Sequence, residues 1–411
     1  MSAPLPFKYT NVESIEPIHA RLNQSFATLK SYPLEFRLEQ LNKLYWTIKD
    51  NEQHLYDALK ADFNKPFYET YMTEIAWMQL AILDVMNNLR EWAADEPLKV
   101  PLAIKLTNSP RMRKEPMGVI LIIGPSNFPA QLVLHPLIGA IAGGNAAVVK
   151  PSELTPNTSA VITRIVESLD PSLYAVVNGS ISETTKLLDQ KWDKIVYTGS
   201  TRVGRIVAAA AAKHLTPVLL ELGGLNPTFV TKSANAKIAA KRVCWGKIHN
   251  AGQICIAPNY VLIHPSQEQE FVQSFIQSVQ TYLPNGAMGS PDMASIIDIR
   301  SYHRIKGLLE RTTGTILYGG NMDEAKKFIE PTLVKVSDPN DALLAEEIFG
   351  PILPMLVVER VDDMLALAKK IGDTPLAMYI FSGDKTEQEH RKAAVFPQET
   401  VADEMYSDEK P

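Results

Sequence analysis

Apolar residues recur at helical spacing through the first part of the chain. Ile15, Ile18, Leu22, Phe26 and Leu29 make one set, and Leu34, Leu38, Leu41, Tyr45 and Ile48 a second. Ile75, Met78, Ile82, Met86 and Leu89 make a third. Steps of three and four residues bring each set onto one face of an amphipathic helix, so residues 11–95 read as helical. Charged residues among them, such as Lys49 and Glu52, fall on solvated faces. Pro97, Pro101 and Pro110 then punctuate residues 96–117, which read as extended structure, a hairpin that leaves the globule to pair with a partner.

At Val119 the pattern changes. Val119–Ile123 is a continuous β-branched and leucine run, the mark of a parallel strand buried on both faces. The loop Gly124-Pro125-Ser126-Asn127-Phe128-Pro129 breaks it, and a helix follows over 130–142. Residues 146–149 form a second buried strand that ends at Lys150-Pro151-Ser152-Glu153. A helix over 154–169, a strand over 174–177, a helix over 181–188 and a strand over 194–197 continue the alternation. The last strand runs into Thr198-Gly199-Ser200-Thr201-Arg202-Val203-Gly204 and another helix. Alternating strands and helices predict a doubly wound parallel sheet, whose ligands sit at the carboxyl ends of strands. Asn127, Lys150, Glu153 and Gly199 fall at those ends. From Pro217 the alternation restarts, with strands over 218–220, 228–230 and 260–263 and helices over 234–245, 268–281 and 301–311. These predict a second α/β domain.

Composition narrows the class. A chain of 411 residues exceeds one core and suits two or three domains. Its 45% hydrophobic and 21% charged content is that of a soluble globular protein, and a net charge of -5 without a dense basic run argues against nucleic-acid binding. The apolar stretch 118–149 is broken by Pro125, Pro129, Pro136, Asn127 and His135, so it reads as strand, loop and core helix rather than a membrane span. Residues 1–9 lack the apolar core of a signal peptide. Two cysteines build no disulfide framework and no Cys/His cluster has zinc spacing, which places the chain in a reducing, cytoplasmic setting with no metal.

The candidate chemistry lies in short turns. Cys255 stands in Asn250-Ala251-Gly252-Gln253-Ile254-Cys255-Ile256-Ala257-Pro258, where a thiolate could serve as a nucleophile. Taken alone it also reads as a small buried hydrophobe, which is the reading that Cys244 keeps between Val243 and Trp245. Glu221, between Leu220 and Leu222 and ahead of Gly223 and Gly224, looks expensive to bury, so it has a partner or is retained for chemistry. The Asn127 amide could hold an oxyanion; alone it is a turn asparagine. Gly199 and Gly204 bracket a strand-to-helix turn that could offer backbone N–H groups to a phosphate or be an ordinary turn. Lys150 and Glu153 could grip two ribose hydroxyls or form a surface ion pair. Glu346 and Glu347 ahead of Phe349 are surface charge or a ligand clamp. His135, His214 and His249 have no partner at catalytic spacing and read as structural.

Together, in order, these blocks resemble the aldehyde dehydrogenase superfamily, from the N-terminal helices to about Phe381. The matching blocks are Gly124 to Pro129, Lys150 to Glu153, Thr198 to Gly204, Leu220 to Pro227, Asn250 to Cys255 and Glu346 to Pro351. Trp245-Gly246-Lys247 and Ile256-Ala257-Pro258-Asn259-Tyr260 look like the class 3, or fatty aldehyde, branch. Tyr45-Trp46 and the run from Trp92 to Pro97 look like fungal members that oxidise long-chain or apocarotenoid aldehydes.

The resemblance implies an aldehyde dehydrogenase-like α/β fold with two Rossmann-type domains. It sets residues 1–95 and 118–215 as an NAD(P)-binding domain, 96–117 as an oligomerisation hairpin and 216–397 as a catalytic domain. It also implies that Cys255 attacks an aldehyde, with the oxygen held by the Asn127 amide and the Cys255 N–H, and that Glu221 activates the water that hydrolyses the resulting thioester. Lys150 and Glu153 would hold the adenine ribose, Gly199, Ser200 and Gly204 the pyrophosphate, Glu347 the nicotinamide ribose and Phe349 the nicotinamide. A carboxylate at Glu153 favours NAD, with NADP possible. A homodimer without a transmembrane segment, cytoplasmic or peripheral to membranes, is implied as well.

The chain departs from the family pattern at two places. Leu225 replaces a polar or basic residue of many relatives. Family members continue past residues 378–381 into another strand, a Pro-Phe-Gly-Gly loop and an oligomerisation segment, whereas Gln398 to Pro411 is an acidic tail with five acids. It reads as disordered and as the mark of a truncated product, with apolar surface uncovered, dimerisation weakened and turnover reduced. Two other readings remain open at this stage: an acylating dehydrogenase, which the presence of Glu221 disfavours, and a non-catalytic remnant that binds nucleotide or a partner subunit.

Overall fold

The computed structural model describes residues 5–372 and 375–384. The chain divides into two compact units, Met1–Asp62 with Thr70–Glu221, and Phe63–Glu69 with Leu222–Pro411.

The first unit is built on a five-stranded sheet in the order Tyr174–Val176, Ala146–Lys150, Val119–Ile123, Lys194–Gly199, Val218–Leu222. The ladders Val119↔Ala146 and Ile120↔Lys194 run parallel. Every residue of Val119–Ile123 and Ala146–Lys150 is buried, which is why these segments read as unbroken apolar runs rather than alternating ones. The chain lays strands to one side of Val119–Ile123 and then returns to lay Lys194–Gly199 on its other side. Reversal of direction there opens a crevice at the carboxyl ends of the two strands. The helices Leu34–Asp50, Ala76–Trp92 and Gln131–Ala142 pack on one another.

Several local expectations shift. Leu29, assigned to a buried helical face, lies past the end of Ile15–Phe26 with φ 61° and is 60% exposed. The 96–117 segment is not wholly extended. Glu96–Pro97 pairs antiparallel with Arg111–Met112, and Leu102–Thr107 between them is a short helix started by Pro101. A proline with φ -52° just before the first turn is already set for a helix, and its missing N–H costs nothing there.

The second unit holds a six-stranded sheet in the order Thr315–Tyr318, Thr332–Lys335, Ile352–Val357, Tyr260–Ile263, Pro227–Val230, Tyr379–Phe381. Its first pair is antiparallel and the others are parallel, so this sheet is mixed. The edge strand, two inner strands and the helix Val361–Ile371 were not anticipated. Pro354 inside the buried strand Ile352–Val357 conceals it, because proline removes a ladder donor and usually marks an edge or a break. Among the described residues no helix is long and apolar enough to cross a membrane. The tail over 398–411 lies outside the described residues.

One buried carboxylate fixes the loop that carries Asn127. Glu74, in the π-helical turn Tyr71–Ile75, is fully buried. Its Oε2 accepts the Ala130 and Gln131 N–H groups at 3.1 and 2.8 Å, at the start of the helix Gln131–Ala142. These donors have no intrahelical partner, and a negative charge also favours that end of a helix. Glu74→Ala leaves both donors buried and unpaired and should cost about 1–3 kcal/mol. A calorimetric scan should show melting several degrees lower, with Glu74→Gln closer to wild type because its amide oxygen still accepts.

Candidate active site

The helix Ala236–Ile248 delivers the cysteine turn. Beyond it three consecutive residues enter the left-handed region: Asn250 at φ 50°, Ala251 at φ 52° and Gly252 at φ 71°. Each non-glycine residue there costs of order 1–3 kcal/mol, so the surroundings must hold them. The Asn250 N–H donates to Glu69 Oε2 at 3.0 Å, and Glu69 Oε1 lies 3.4 Å from His249 Nδ1. The Gln253 side chain donates to the carbonyls of Asn250 and Ser295 at 3.1 and 3.0 Å and accepts the Ile297 N–H at 2.9 Å. Gly252 must be glycine for a second reason: a Cβ there would run into the Gly350 carbonyl.

Beyond the turn, Asn226 clamps the backbone of Cys255 itself. Its side chain, 1% exposed, donates to the carbonyls of Cys255 and Ala257 at 2.8 and 3.0 Å. Its Oδ1 accepts the N–H groups of Leu376 and Ala377 at 3.0 and 2.9 Å, so both ends of the amide are fully used. The Tyr379 hydroxyl donates to the next carbonyl, Ile256. Cys255 is half-buried in this frame. Cys244 is fully buried, and burial pushes its thiol up to about 12, which leaves it a core residue.

A second loop meets the cysteine turn. Asn259 Oδ1 accepts the Ile348 N–H at 3.0 Å, and Lys247, fully buried, donates to the Gly350 carbonyl at 3.2 Å. Arg304 binds the carbonyls of Glu347 and Ile348 at 3.2 and 2.7 Å and pairs with Glu346 at 3.1 Å. Phe349 is held at φ 48°. Glu347 presses against Gly223, where any side chain would collide with its carboxylate, and its Oε1 is buried with no hydrogen-bond partner. Burial pushes the Glu347 carboxyl up to about 7, against the opposing pull of the Gly224 N–H, Lys247 and Arg304. Upstream, Asp341 caps the turn Ala342–Leu344 that leads into this loop. Its carboxylate accepts Leu343 N–H, Thr312 Oγ1, Thr313 N–H and Thr313 Oγ1 at 2.8–3.1 Å. Burial raises its pKa, but those donors outweigh burial and leave it lowered.

In the first unit Asn127 is buried in the loop after Val119–Ile123. Lys150, the last residue of its strand, is 4% exposed and pairs with Glu153 at 2.6 Å. Of the two ribose or ion-pair readings, the structure therefore contains the pair, on a lysine too buried to be a surface charge. Gly199 ends its strand, and a Cβ there would strike the Tyr197 phenol. Ser200 caps the helix Thr201–Ala212 by accepting the Val203 N–H, while the Gly204 N–H donates to the Ser200 carbonyl and is not free for a ligand. Glu221 corrects an expectation: it is exposed, not wedged among buried leucines. It sits on Val218–Leu222, the edge strand of its sheet, where alternate residues face outward.

The sequence profile of the aldehyde dehydrogenase family matches residues 7–395. The chain belongs to that family. It is 46% identical over 384 residues to the beta-apo-4'-carotenal oxygenase of Neurospora crassa, covering 93% of this chain and 72% of that protein. It is 42% identical over 363 residues to aldehyde dehydrogenase family 3 member A2 of Mus musculus, covering 88% and 74%. Among solved structures, the substrate-bound state of Staphylococcus aureus AldH superposes with a TM-score of 0.89 at 38% identity, covering 92% of this chain and 82% of that one.

As a member of the aldehyde dehydrogenase family this chain oxidises an aldehyde with NAD or NADP. The sequence reading singled out Cys255 and Glu347 but missed the side chains that hold them: Asn226, Gln253, Asn259, Glu69 and Lys247. Asn226 stood in plain view within Leu220 to Pro227, yet nothing local says that an asparagine will bond a carbonyl 29 residues away.

Two outcomes check this frame. Asn226→Ala strips partners from the N–H groups of half-buried Leu376 and buried Ala377 and from two carbonyls, and should cost about 3 kcal/mol, read as a lower denaturant midpoint. Acid stability tests Asp341. Because its folded pKa lies below the unfolded value of about 4, its contribution is present above that pH and is lost as the pH falls through the folded pKa. Asp341→Asn should be less stable at pH 7 and show a shallower loss on acidification in urea melts from pH 7 to 3.

Proposed function

We propose that the aldehyde is long-chain aliphatic or apocarotenoid, and that the chain converts it to the carboxylic acid by a cysteine thioester route as a homodimer. The carrying observation is the 46% identity to a protein named for an apocarotenal, alongside 40% to a diaponeurosporen-aldehyde dehydrogenase of Staphylococcus aureus. Sites in the cytoplasm or on a membrane face suit so apolar a substrate.

In this reading residues 1–95 and 118–215 bind the cofactor, 96–117 serve oligomerisation and residues 216–397 carry the nucleophile. The Cys255 thiolate attacks the carbonyl carbon and a C–S bond forms. The Asn127 amide and the Cys255 N–H receive the developing oxyanion. NAD(P)+ supplies the hydride acceptor. Glu221 takes a proton from the water that attacks the thioester; the acid leaves and the thiolate is restored. The exposure of Glu221 supports this role, since the carboxylate is open to water.

The residues present fit the cofactor. The first N–H groups of Thr201–Ala212 lack intrahelical partners and suit a pyrophosphate beside Gly199, Ser200 and Gly204. Lys150 and Glu153 suit the adenine ribose, and the orphaned Glu347 Oε1 suits a hydroxyl of the other ribose, with Phe349 against the nicotinamide. The Glu153 carboxylate favours NAD over NADP.

NADH formation at 340 nm tests the proposal. Each buried CH₂ is worth about 0.8 kcal/mol, so kcat/KM for decanal should exceed that for propanal by at least about tenfold. An apocarotenal should match decanal or better, and Cys255→Ala should abolish turnover. Equal kcat/KM for propanal and decanal would overturn the substrate class, and residual turnover in Cys255→Ala the thioester route.

A further inference from the structure

In the second unit a fully buried lysine and a half-buried glutamate act on each other's charge without forming an ion pair. Lys247 occupies the last turn of Ala236–Ile248, where the negative end of the helix dipole favours a cation. It is 1% exposed, and its single hydrogen bond goes to the Gly350 carbonyl. Glu347 lies three residues before that carbonyl, with one carboxylate oxygen buried and unpartnered. No ion pair within 4.0 Å links the two among the described residues. Arg304, the other cation acting on Glu347, spends its guanidinium on Glu346 and on the carbonyls of Glu347 and Ile348. The Gly224 N–H also bonds Glu347, whose carboxylate packs against Gly223. An unpaired buried carboxylate is costly, and a direct salt bridge would remove the cost by filling both oxygens. This arrangement leaves one oxygen open.

We propose that Lys247 is a positioning residue, a counter-charge held at a distance on the Gly350 carbonyl so that Glu347 remains an anion with a free oxygen to accept a ribose hydroxyl of the cofactor. The inference rests on the reading that Glu347 binds that ribose. A lysine placed to touch Glu347 would compete with the hydroxyl; one placed farther away stabilises the charge and leaves the acceptor open. The same ammonium ties the loop to the cysteine turn, because Gly252 packs against the carbonyl that Lys247 binds. Burial pulls Lys247 down to about 7, opposed by Glu347, while Glu347 stands at about 7 for the reasons given above. Burial thus draws both groups toward neutrality, each opposed by the other's charge. As the pH falls Glu347 gains a proton and loses its value as an acceptor. Without the ammonium that protonation moves to higher pH.

The test is NAD+ binding, followed by tryptophan quenching from pH 6 to 9.5, on wild type, Lys247→Met, Lys247→Gln and Glu347→Gln. Lys247→Met should bind at least tenfold more weakly than wild type at pH 7 and approach it at pH 9.5, with the acid limb displaced upward by a pH unit or more. Lys247→Gln, which can still donate to Gly350 but carries no charge, should follow the methionine variant. A uniform loss at every pH, a wild-type profile in Lys247→Gln, or failure of both variants to fold would make Lys247 a structural residue and overturn the proposal. An unchanged affinity and acid limb in Glu347→Gln would instead refute the ribose role of Glu347.

Discussion

The amide of Asn226 is the contact on which the Cys255 turn depends. Two non-glycine residues in the left-handed region place Cys255 at the tip of a strained turn, and strain of a few kcal/mol persists only where the surroundings offset it. Asn226 does so from one side by binding the Cys255 and Ala257 carbonyls, and Gln253 and Glu69 do so from the other. The same Asn226 side chain holds the segment before Tyr379–Phe381, so one buried amide ties the Cys255 turn to the sheet edge.

Buried carboxylates perform the matching task for the loops. Glu74 closes the helix after Asn127, and Asp341 closes the turn before Glu347. Each spends its charge on backbone N–H groups, which is the strongest use of an ionised oxygen in a dry interior. Glu347 differs because one of its oxygens is left open. Asp341, in the same unit, has both its oxygens bonded, whereas Glu347 Oε1 has no partner.

Much of the first unit was legible. Val119–Ile123 and Ala146–Lys150 are buried on both faces, so their composition alone marks them as inner parallel strands; the turn after the first carries Asn127, and the second ends at Lys150. Leu29 misled because its apolar side chain fits the helical period, while the backbone had already turned out of the helix. Leu102–Thr107 misled because prolines that suggest extended chain can equally start a helix. Glu221 misled because its leucine neighbours suggested a buried strand, whereas an edge strand exposes every second residue. In the second unit Pro354 concealed a central strand.

The sequence by itself determined the family and, apart from the short helix Leu102–Thr107, most of the order of strands and helices in the first unit. Those follow from local periodicity and short motifs, which are properties of neighbours along the chain. Only the tertiary structure decided that Asn226 grips Cys255, that Lys247 reaches Gly350 rather than Glu347, and that Glu221 faces water. Each of these joins or separates residues far apart in the chain, and hydrogen bonding and burial at that range are set by how the sheets pack, on which short-range pattern is silent.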